Sequence, residues 1–466
     1  MLEEYYADPH IRARIFEFLG GDSPQNVTCA YITADGPSAD VCHNPRPPSE
    51  LPNCLDDGLE IGRSLWDHEA LIAHLDIEIV NFDFPAEPWI HPNRCIDLQR
   101  PVVAAIQEFL INHGIAPLHL LSGRGHHFVW RIDLRSTACD SLTAIGSVAG
   151  ASQCGCPGSF PSIGQRHDGP RATAHAGLGM VMEYVAHRVL DVAAGDCELP
   201  VMLTAVEAGP NAHGREVVSI DLSEYGDPLH TRGVRVPFSA YLKPQQQRWR
   251  IGAIADEIPG LFMIPLHEME VHQGIQVMRA MDEVQDLARR GSVQIPDQSR
   301  GTERLLEEYA TSQTSLWHRQ FYSAEHDPSD QWPKTYDRLP LQSLPPCARI
   351  ILEQPNDRLL KPAGIQHLVR ILLGFDWHPR HIAGLIRSKY ERDYGWGDRW
   401  YRYDAATHAD FYVRTFAGLI ATGRDGLVDL NCRSCQEKQY CPVEVCSDNL
   451  LRYRDRVRIR VETTTY

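Results

Sequence analysis

Residues Leu118–Ile132 read LHLLSGRGHHFVWRI, two apolar runs around Ser-Gly-Arg-Gly-His-His. Alternation in the second run sends Phe128, Trp130 and Ile132 to one face and His127, Val129 and Arg131 to the other. The first face suits a core. The second starts with an imidazole beside a glycine-rich turn, the pattern of a β-hairpin that lines an anion site.

The same period of two organises the segment upstream. In AHLDIEIVN, Leu75, Ile77 and Ile79 share one face, and Asp76 and Glu78 share the other. Carboxylates at i and i+2 on a strand lie about 7 Å apart, and like charges so placed repel. A divalent cation between them resolves the repulsion; an edge strand with its acidic side in water is the plainer alternative. Asp83, just beyond, is a further candidate ligand. Downstream, REVVSIDLSEYG puts Val218, Ile220 and Leu222 toward a core and Asp221 on the opposite side. The stretch LHTRGVRVPFSAYLKP then adds Arg232, Arg235 and Lys243. Cations clustered near acids suit a metal-bound polyphosphate, with guanidinium groups on phosphate oxygens and carboxylates on Mg²⁺ or Mn²⁺.

Taken in order, DIE, SGRGHH and SIDL…TRGVRVP resemble the archaeo-eukaryotic primase superfamily. Its catalytic domain carries an acidic pair on one strand, an SGxGxH turn-and-strand, and a third acid followed by basic residues. The likeness covers about residues 60–245, and the middle motif is its most specific part. The resemblance implies an α+β fold, a primase-like catalytic domain with an RRM-like sheet core followed by a mostly helical C-terminal metal-cluster domain. It implies that Asp76, Glu78 and Asp221 hold two catalytic Mg²⁺ or Mn²⁺ ions. Ser122, Gly123, Arg124, Gly125 and His127 then meet the incoming triphosphate, with Arg232, Arg235 and Lys243 near the phosphates or the template. Many relatives carry a zinc module between the second and third motifs. Here Cys139, Cys154, Cys156, His167 and His175 fall in that interval, but Cys-Gly-Cys is a strained chelating pair compared with C-x2-C.

The chain has 466 residues and a formal net charge of −16, which as a whole opposes binding to a polyanion. The charge is uneven: residues 1–346 hold 26 Lys+Arg against 46 Asp+Glu, and residues 347–466 hold 19 against 15. Any contact with nucleic acid must therefore use local patches. No apolar run approaches the ~20 residues of a membrane span, and MLEEYYADPH lacks the order of a signal peptide, so a cytoplasmic protein without membrane partners is expected. Thirteen cysteines in such a chain suggest thiols or metal ligands, not disulfides. Cys29, Cys42, His43 and Cys54 are scattered through an early irregular stretch and match no compact metal site.

At the other end NCRSCQEKQYCPVEVC reads C-x2-C-x5-C-x4-C, from Cys432 through Cys435 and Cys441 to Cys446, a spacing that fits zinc or an iron–sulfur cluster. Together with LPPCARIILEQ ahead of helical segments, this region resembles the C-terminal domain of the primase large subunit. That likeness implies a [4Fe–4S] cluster held by Cys347 and three of the last four cysteines, with Cys446 spare; a self-contained Zn²⁺ knuckle is the alternative. The tail LRYRDRVRIRV alternates arginines (Arg452, Arg454, Arg456, Arg458, Arg460) with mostly apolar residues, and read as a strand it makes one guanidinium-lined face.

Four parts are expected: an N-terminal helix and irregular segment (1–58) packed on a catalytic domain (59–265), a helical segment and linker (266–340), and a helical cysteine-cluster domain (341–466). The implied activity is that of a DNA primase or primase-polymerase using NTPs or dNTPs on a single-stranded DNA template, with a helicase or replication proteins as partners. The alternatives are a gap-filling repair polymerase that cannot start strands, a non-catalytic nucleic-acid-binding protein with a structural metal cluster, and a metal-dependent phosphoesterase.

Overall fold

A computed structural model describes residues 2–37, 45–148, 169–204, 215–229, 232–355, 357–392, 404–442 and 446–463. Among the described residues, nine strands form two sheets. The larger has the order β6 (Val201–Leu203), β7 (Glu216–Asp221), β3 (Ala70–Asn81), β5 (Gly125–Asp133), β4 (Leu118–Leu121) and β9 (Ile264–Pro265). It is antiparallel except for the β6–β7 pair. The smaller is antiparallel, β1 (Ile32–Asp35), β2 (Glu60–Ser64) and β8 (Gly233–Arg235). With a mixed sheet, helices packed against it and a helical C-terminal region, the molecule is α+β.

The alternation read from the sequence decides which face is which. Leu75, Ile77 and Ile79 on β3 and Phe128, Trp130 and Ile132 on β5 are fully buried, each contributing about 1.5–3 kcal/mol by leaving water. They pack against the helices Pro92–Asn112, Thr137–Ser147 and Gly169–Ala193 in one continuous apolar core. That core runs on into Ser299–Thr311, Gln313–Phe321 and the C-terminal helices Pro346–Glu353, Pro362–Leu373, Pro379–Tyr390 and Ala405–Ala421. The opposite face carries Ile72 and, beside it, the N-terminal helix Pro9–Phe18, β2, β8 and the 262–295 segment in a second core. The stretch expected as a linker is packed: Trp332 and Tyr336 are buried, and the Trp332 indole donates to the Asp327 carbonyl at 2.9 Å.

The arginine-alternating tail is a helix, Leu450–Thr463, not a strand. Leu450, Tyr453 and Val457 recur at i, i+3 and i+7 and are buried, so the apolar residues obey the helical period and the core selects it. Its arginines serve packing: Arg460 donates to the Leu373 and Trp377 carbonyls at 2.8 and 3.1 Å, and Arg456 lies over Phe375 and Tyr453. No helix among the described residues is long and apolar enough to cross a membrane.

Candidate functional site

The three acids meet on the face of the sheet that the core leaves. On β3, Asp76 is paired with His127 of β5 on one side and Asp221 of β7 on the other, and Glu78 is paired with Gly125 and Ser219. Adjacent strands lie about 4.8 Å apart, so Asp76, Asp221 and His127 form a row across three strands, with Glu78 one pleat further. The tight turn Ser122–Gly125 closes the end of this row, with the Ser122 N–H donating to the Gly125 carbonyl at 2.8 Å. Its glycines are required by space. A β-carbon at Gly125 would run into the Ile77 carbonyl, and one at Gly123 would meet the Tyr241 ring at 2.6 Å. Fully buried Gln99, from the helix under the sheet, donates at 3.0 Å to the Arg124 carbonyl and pins the turn.

Charge is strongly unbalanced along this row. Burial, then the neighbouring Glu78 and Asp221 charges, push the Asp76 carboxyl up to about 7, and its Oδ1 has no hydrogen-bond partner among the described residues. Burial also pushes Glu78 up, but the Arg124 guanidinium, with which it is ion-paired, and Lys243 hold it below the ordinary value. Lys243, half-buried, is pushed down to about 8 by burial and by Arg124, against the pull of Glu78. Arg235 is ion-paired with Glu60, whose other oxygen accepts the Leu242 N–H at 2.6 Å, and its guanidinium lies 4.4 Å from the Tyr241 ring centre. The His127 imidazole is held well below its usual value by burial and then by the His74, Arg235 and Lys243 charges.

Of the residues singled out from the sequence, Asp76, Glu78, Asp221, Ser122, Gly123, Arg124, Gly125, His127, Arg235 and Lys243 therefore come together. Arg232 does not join them. It is committed to buried Asp227, which also faces His408 of the Ala405–Ala421 helix at 3.3 Å. Asp83 is 60% exposed and pairs with Arg215 at 3.2 Å, which takes it out of the cluster. Cys42, His43, Cys154, Cys156 and His167 lie outside the described residues; Cys139 and His175 are buried in helices. Two residues absent from the sequence reading, His74 and Glu224, belong to the site: His74 Nδ1 is 2.6 Å from Glu224 Oε2, and His74 Nε2 is 2.6 Å from His127 Nδ1.

A second constellation lies in the C-terminal region. Ligand atoms of Cys347, His367 and Cys435, from three different helices, lie within 4.8 Å of one another, so this group could hold a metal ion. His367 Nε2 is buried without a hydrogen-bond partner. Hydrogen bonding from Cys347, helped by Lys438, lowers the Cys435 thiol despite its burial, and Cys441 is near enough to act electrostatically on Cys347. Cys432 and Cys446 gather instead at the start of the last helix: Cys432 Sγ accepts the Leu450 N–H at 3.4 Å, and Cys446 Sγ donates to the Asp448 carbonyl at 3.6 Å. The sequence reading of Cys347, Cys432, Cys435, Cys441 and Cys446 included two members of this group and missed His367. A cavity of about 720 Å³ is lined by β6 on one side and by Gln366, Asp429 and Ser434 on the other.

Comparison with known proteins adds no relative: no family model, no curated protein and no solved structure matches the chain.

Proposed function

We propose that the chain is a primase-polymerase, a template-directed nucleotidyltransferase with a primase-like catalytic domain. The observation that carries the reading is the row of Asp221, Asp76 and His127 in register across three adjacent strands, closed by the glycine turn. Its donor chemistry fits a divalent pair: three carboxylates converge, one of them carries a buried oxygen without a partner, and burial, followed by the Glu78 and Asp221 charges, pushes that carboxyl up, a strain that bound cations relieve. Bound there, two Mg²⁺ or Mn²⁺ ions supply activation of a primer 3′-hydroxyl and stabilisation of the leaving pyrophosphate charge.

The remaining work falls to this chain's own groups. Asp76, Glu78 and Asp221 hold the ions. Arg124, here paired with Glu78, exchanges that partner for a phosphate oxygen, and Lys243 and Arg235 add positive charge beside it. His127 and Ser122 orient the triphosphate from the turn. A hydrolytic phosphoesterase needs only the acids; the cations around the turn favour a triphosphate substrate. The test is incubation with single-stranded template, Mn²⁺ and labelled triphosphates, with and without a primer. Template-dependent elongation in both arms is expected. Products only with a primer identify a gap-filling polymerase, and no incorporation in either arm overturns the reading.

For the C-terminal group we infer a thiophilic metal held by Cys347 and Cys435, with Cys441 close enough to act electrostatically on Cys347. Four thiolates suit the [4Fe–4S] cluster that the large-subunit resemblance implies. The unpartnered His367 imidazole supports a second reading, a tetrahedral Zn²⁺ site with a mixed Cys/His donor set. Iron, sulfide and zinc analysis after anaerobic purification, with an absorbance scan, separates the two. In either case Cys347→Ser lowers the metal content to below about half and lowers the thermal midpoint, because the metal joins three helices and its binding is linked to folding.

A further inference from the structure

The cavity beside β6, of about 720 Å³, has the size of a site for a small organic molecule. One wall is the last strand of the larger sheet, with residues 200–203 lining it. β6 pairs in parallel with β7 alone: the Val218 N–H donates to the Pro200 carbonyl at 3.0 Å, and the Thr204 N–H to the Ile220 carbonyl at 2.9 Å. Backbone groups alternate in direction along a strand, so Val201 and Leu203 turn theirs away from β7. The Val201 N–H and C=O and the Leu203 N–H have no partner among the described residues. Apolar surface comes from Leu190 of the helix Gly169–Ala193 and from Phe416 and Leu419 of Ala405–Ala421.

The helix Pro362–Leu373 adds Gln366 to the walls. Gln366 is 3% exposed, and its side-chain amide takes no hydrogen bond among the described residues. Neither amide atom is sealed off, so the little surface that the residue keeps opens on the cavity. A buried amide in this state calls for a partner. The charged groups call for none. Every charged side chain on the walls is in an ion pair: Arg370 with Asp425 and Asp429 at 2.8 Å, Arg424 with Asp191 at 2.7 Å, and Arg433 with Glu437 at 3.0 Å. Arg424 Nη1 and Glu437 Oε2, buried without partners among the described residues, are opposite in sign. A charged ligand would have to break one of these pairs and leave its other member uncompensated. The cavity therefore suits a neutral occupant.

The unpaired groups narrow the class further. A carboxamide presents an N–H and a C=O on the same side, and so do the N–H and C=O of one strand residue. Their complement is a ring with an N–H beside a C=O, the lactam edge of a nucleobase. In a trans peptide bond the same two groups point apart. An extended peptide instead answers a strand edge over several residues, and β6 has three.

We propose that this cavity binds a neutral nucleobase, held at its lactam edge by the Gln366 amide, with the bare β6 backbone as a second polar wall and Phe416 and Leu419 against the ring. A sugar attached to the base leaves by the rim, where Val428 is 79% exposed. None of the residues assigned above to metal or triphosphate lines the cavity, and the inference does not rest on the polymerase reading.

The test uses the full-length chain with inosine and uridine, and with 1-methylinosine and 3-methyluridine, in which a methyl group replaces the lactam hydrogen. Inosine or uridine should bind at concentrations up to about 1 mM, read by calorimetry, and should raise the thermal midpoint, because only the folded chain has the cavity. The methylated forms should bind at least about tenfold more weakly, the scale of a pair of neutral hydrogen bonds. Gln366→Met, which keeps the side-chain volume and removes the amide, should cost the parent nucleosides about as much. Val428→Trp narrows the rim from an exposed position and should also weaken binding, which keeps the test decisive if Gln366→Met fails to fold. Tripolyphosphate with Mg²⁺ should leave the affinity for inosine unchanged. Absence of binding by both nucleosides overturns the proposal. So does binding that the methyl groups or the substitutions leave unaltered, and so does displacement by tripolyphosphate. Binding of a blocked tetrapeptide of alternating threonine and valine in place of the nucleosides would overturn it in favour of strand addition at β6.

Discussion

On the proposed polymerase reading, Asp76→Asn is expected to eliminate template-directed incorporation, by a factor on the order of 10³ or more, and at the same time to raise the thermal midpoint of the protein measured without divalent ions. The two halves of this result have one cause. Asp76 stands between Asp221 and Glu78 on a strand whose other face is fully buried, and burial with those two charges pushes its carboxyl up to about 7. Asparagine keeps the shape and removes the charge. The site then loses the ligand central to its row, and the fold loses a repulsion.

The sign can be checked through pH. A carboxyl whose folded value is raised from 3.8 to about 7 binds more protons in the folded than in the unfolded chain between those limits. Stability in divalent-free buffer therefore falls as pH rises through that window and levels off above it. Asp76→Asn removes this component of the slope. Added Mn²⁺ stabilises the natural chain above pH 7 and has little effect on the variant. An Asp76→Asn protein that still elongates primers at a normal rate refutes the catalytic assignment, whatever its stability.

What could be read from the sequence follows from the period of the elements. A strand buried on one face leaves a mark at every second residue. Leu75, Ile77 and Ile79 on β3 and Phe128, Trp130 and Ile132 on β5 thus locate the core, and by exclusion the acidic row, from the sequence alone. His74 obeys that same parity and was legible in principle: it lies on the Asp76 face, two residues away. Glu224 was not, since its direction depends on the 3₁₀ turn that follows β7. The arginine tail misled because alternation over eleven residues coexists with an i, i+3, i+7 apolar set, and only the surrounding core chooses between the two periods. Arg232 illustrates a different limit. Closeness in sequence to Arg235 put both at the phosphates, yet one neighbour on β8 turns to Glu60 and the acids while the other is taken by buried Asp227. His367 was hidden within a run that reads as a plain amphipathic helix, twenty positions from the nearest cysteine ligand.

Arg414→Met destabilises the protein by about 3–5 kcal/mol, the cost of leaving a buried charge without its partner. Arg414, from the C-terminal helix Ala405–Ala421, reaches Glu183 in the helix beneath the larger sheet at 3.0 Å and the Tyr322 hydroxyl at 2.7 Å. Glu183 is fully buried, with His318 at 3.2 Å and the Thr415 hydroxyl at 3.2 Å as its other neighbours. Burial pushes its carboxyl up, but Arg414 and then His318 more than offset this and hold it down to about 2. Stability from this carboxylate is therefore present above its unfolded value and lost as pH falls toward about 2. Methionine fills the space of the arginine stem and offers Glu183 nothing, so the ion must be neutralised or hydrated inside the core. Urea unfolding at neutral pH reads the loss, and the deficit should shrink as acid protonates Glu183 in the variant. The double change Arg414→Met with Glu183→Leu should recover most of the lost stability, because removing both ions also removes their desolvation. Equal destabilisation by the single and double changes would mean that packing around Arg414, not charge, joins the C-terminal helices to the sheet.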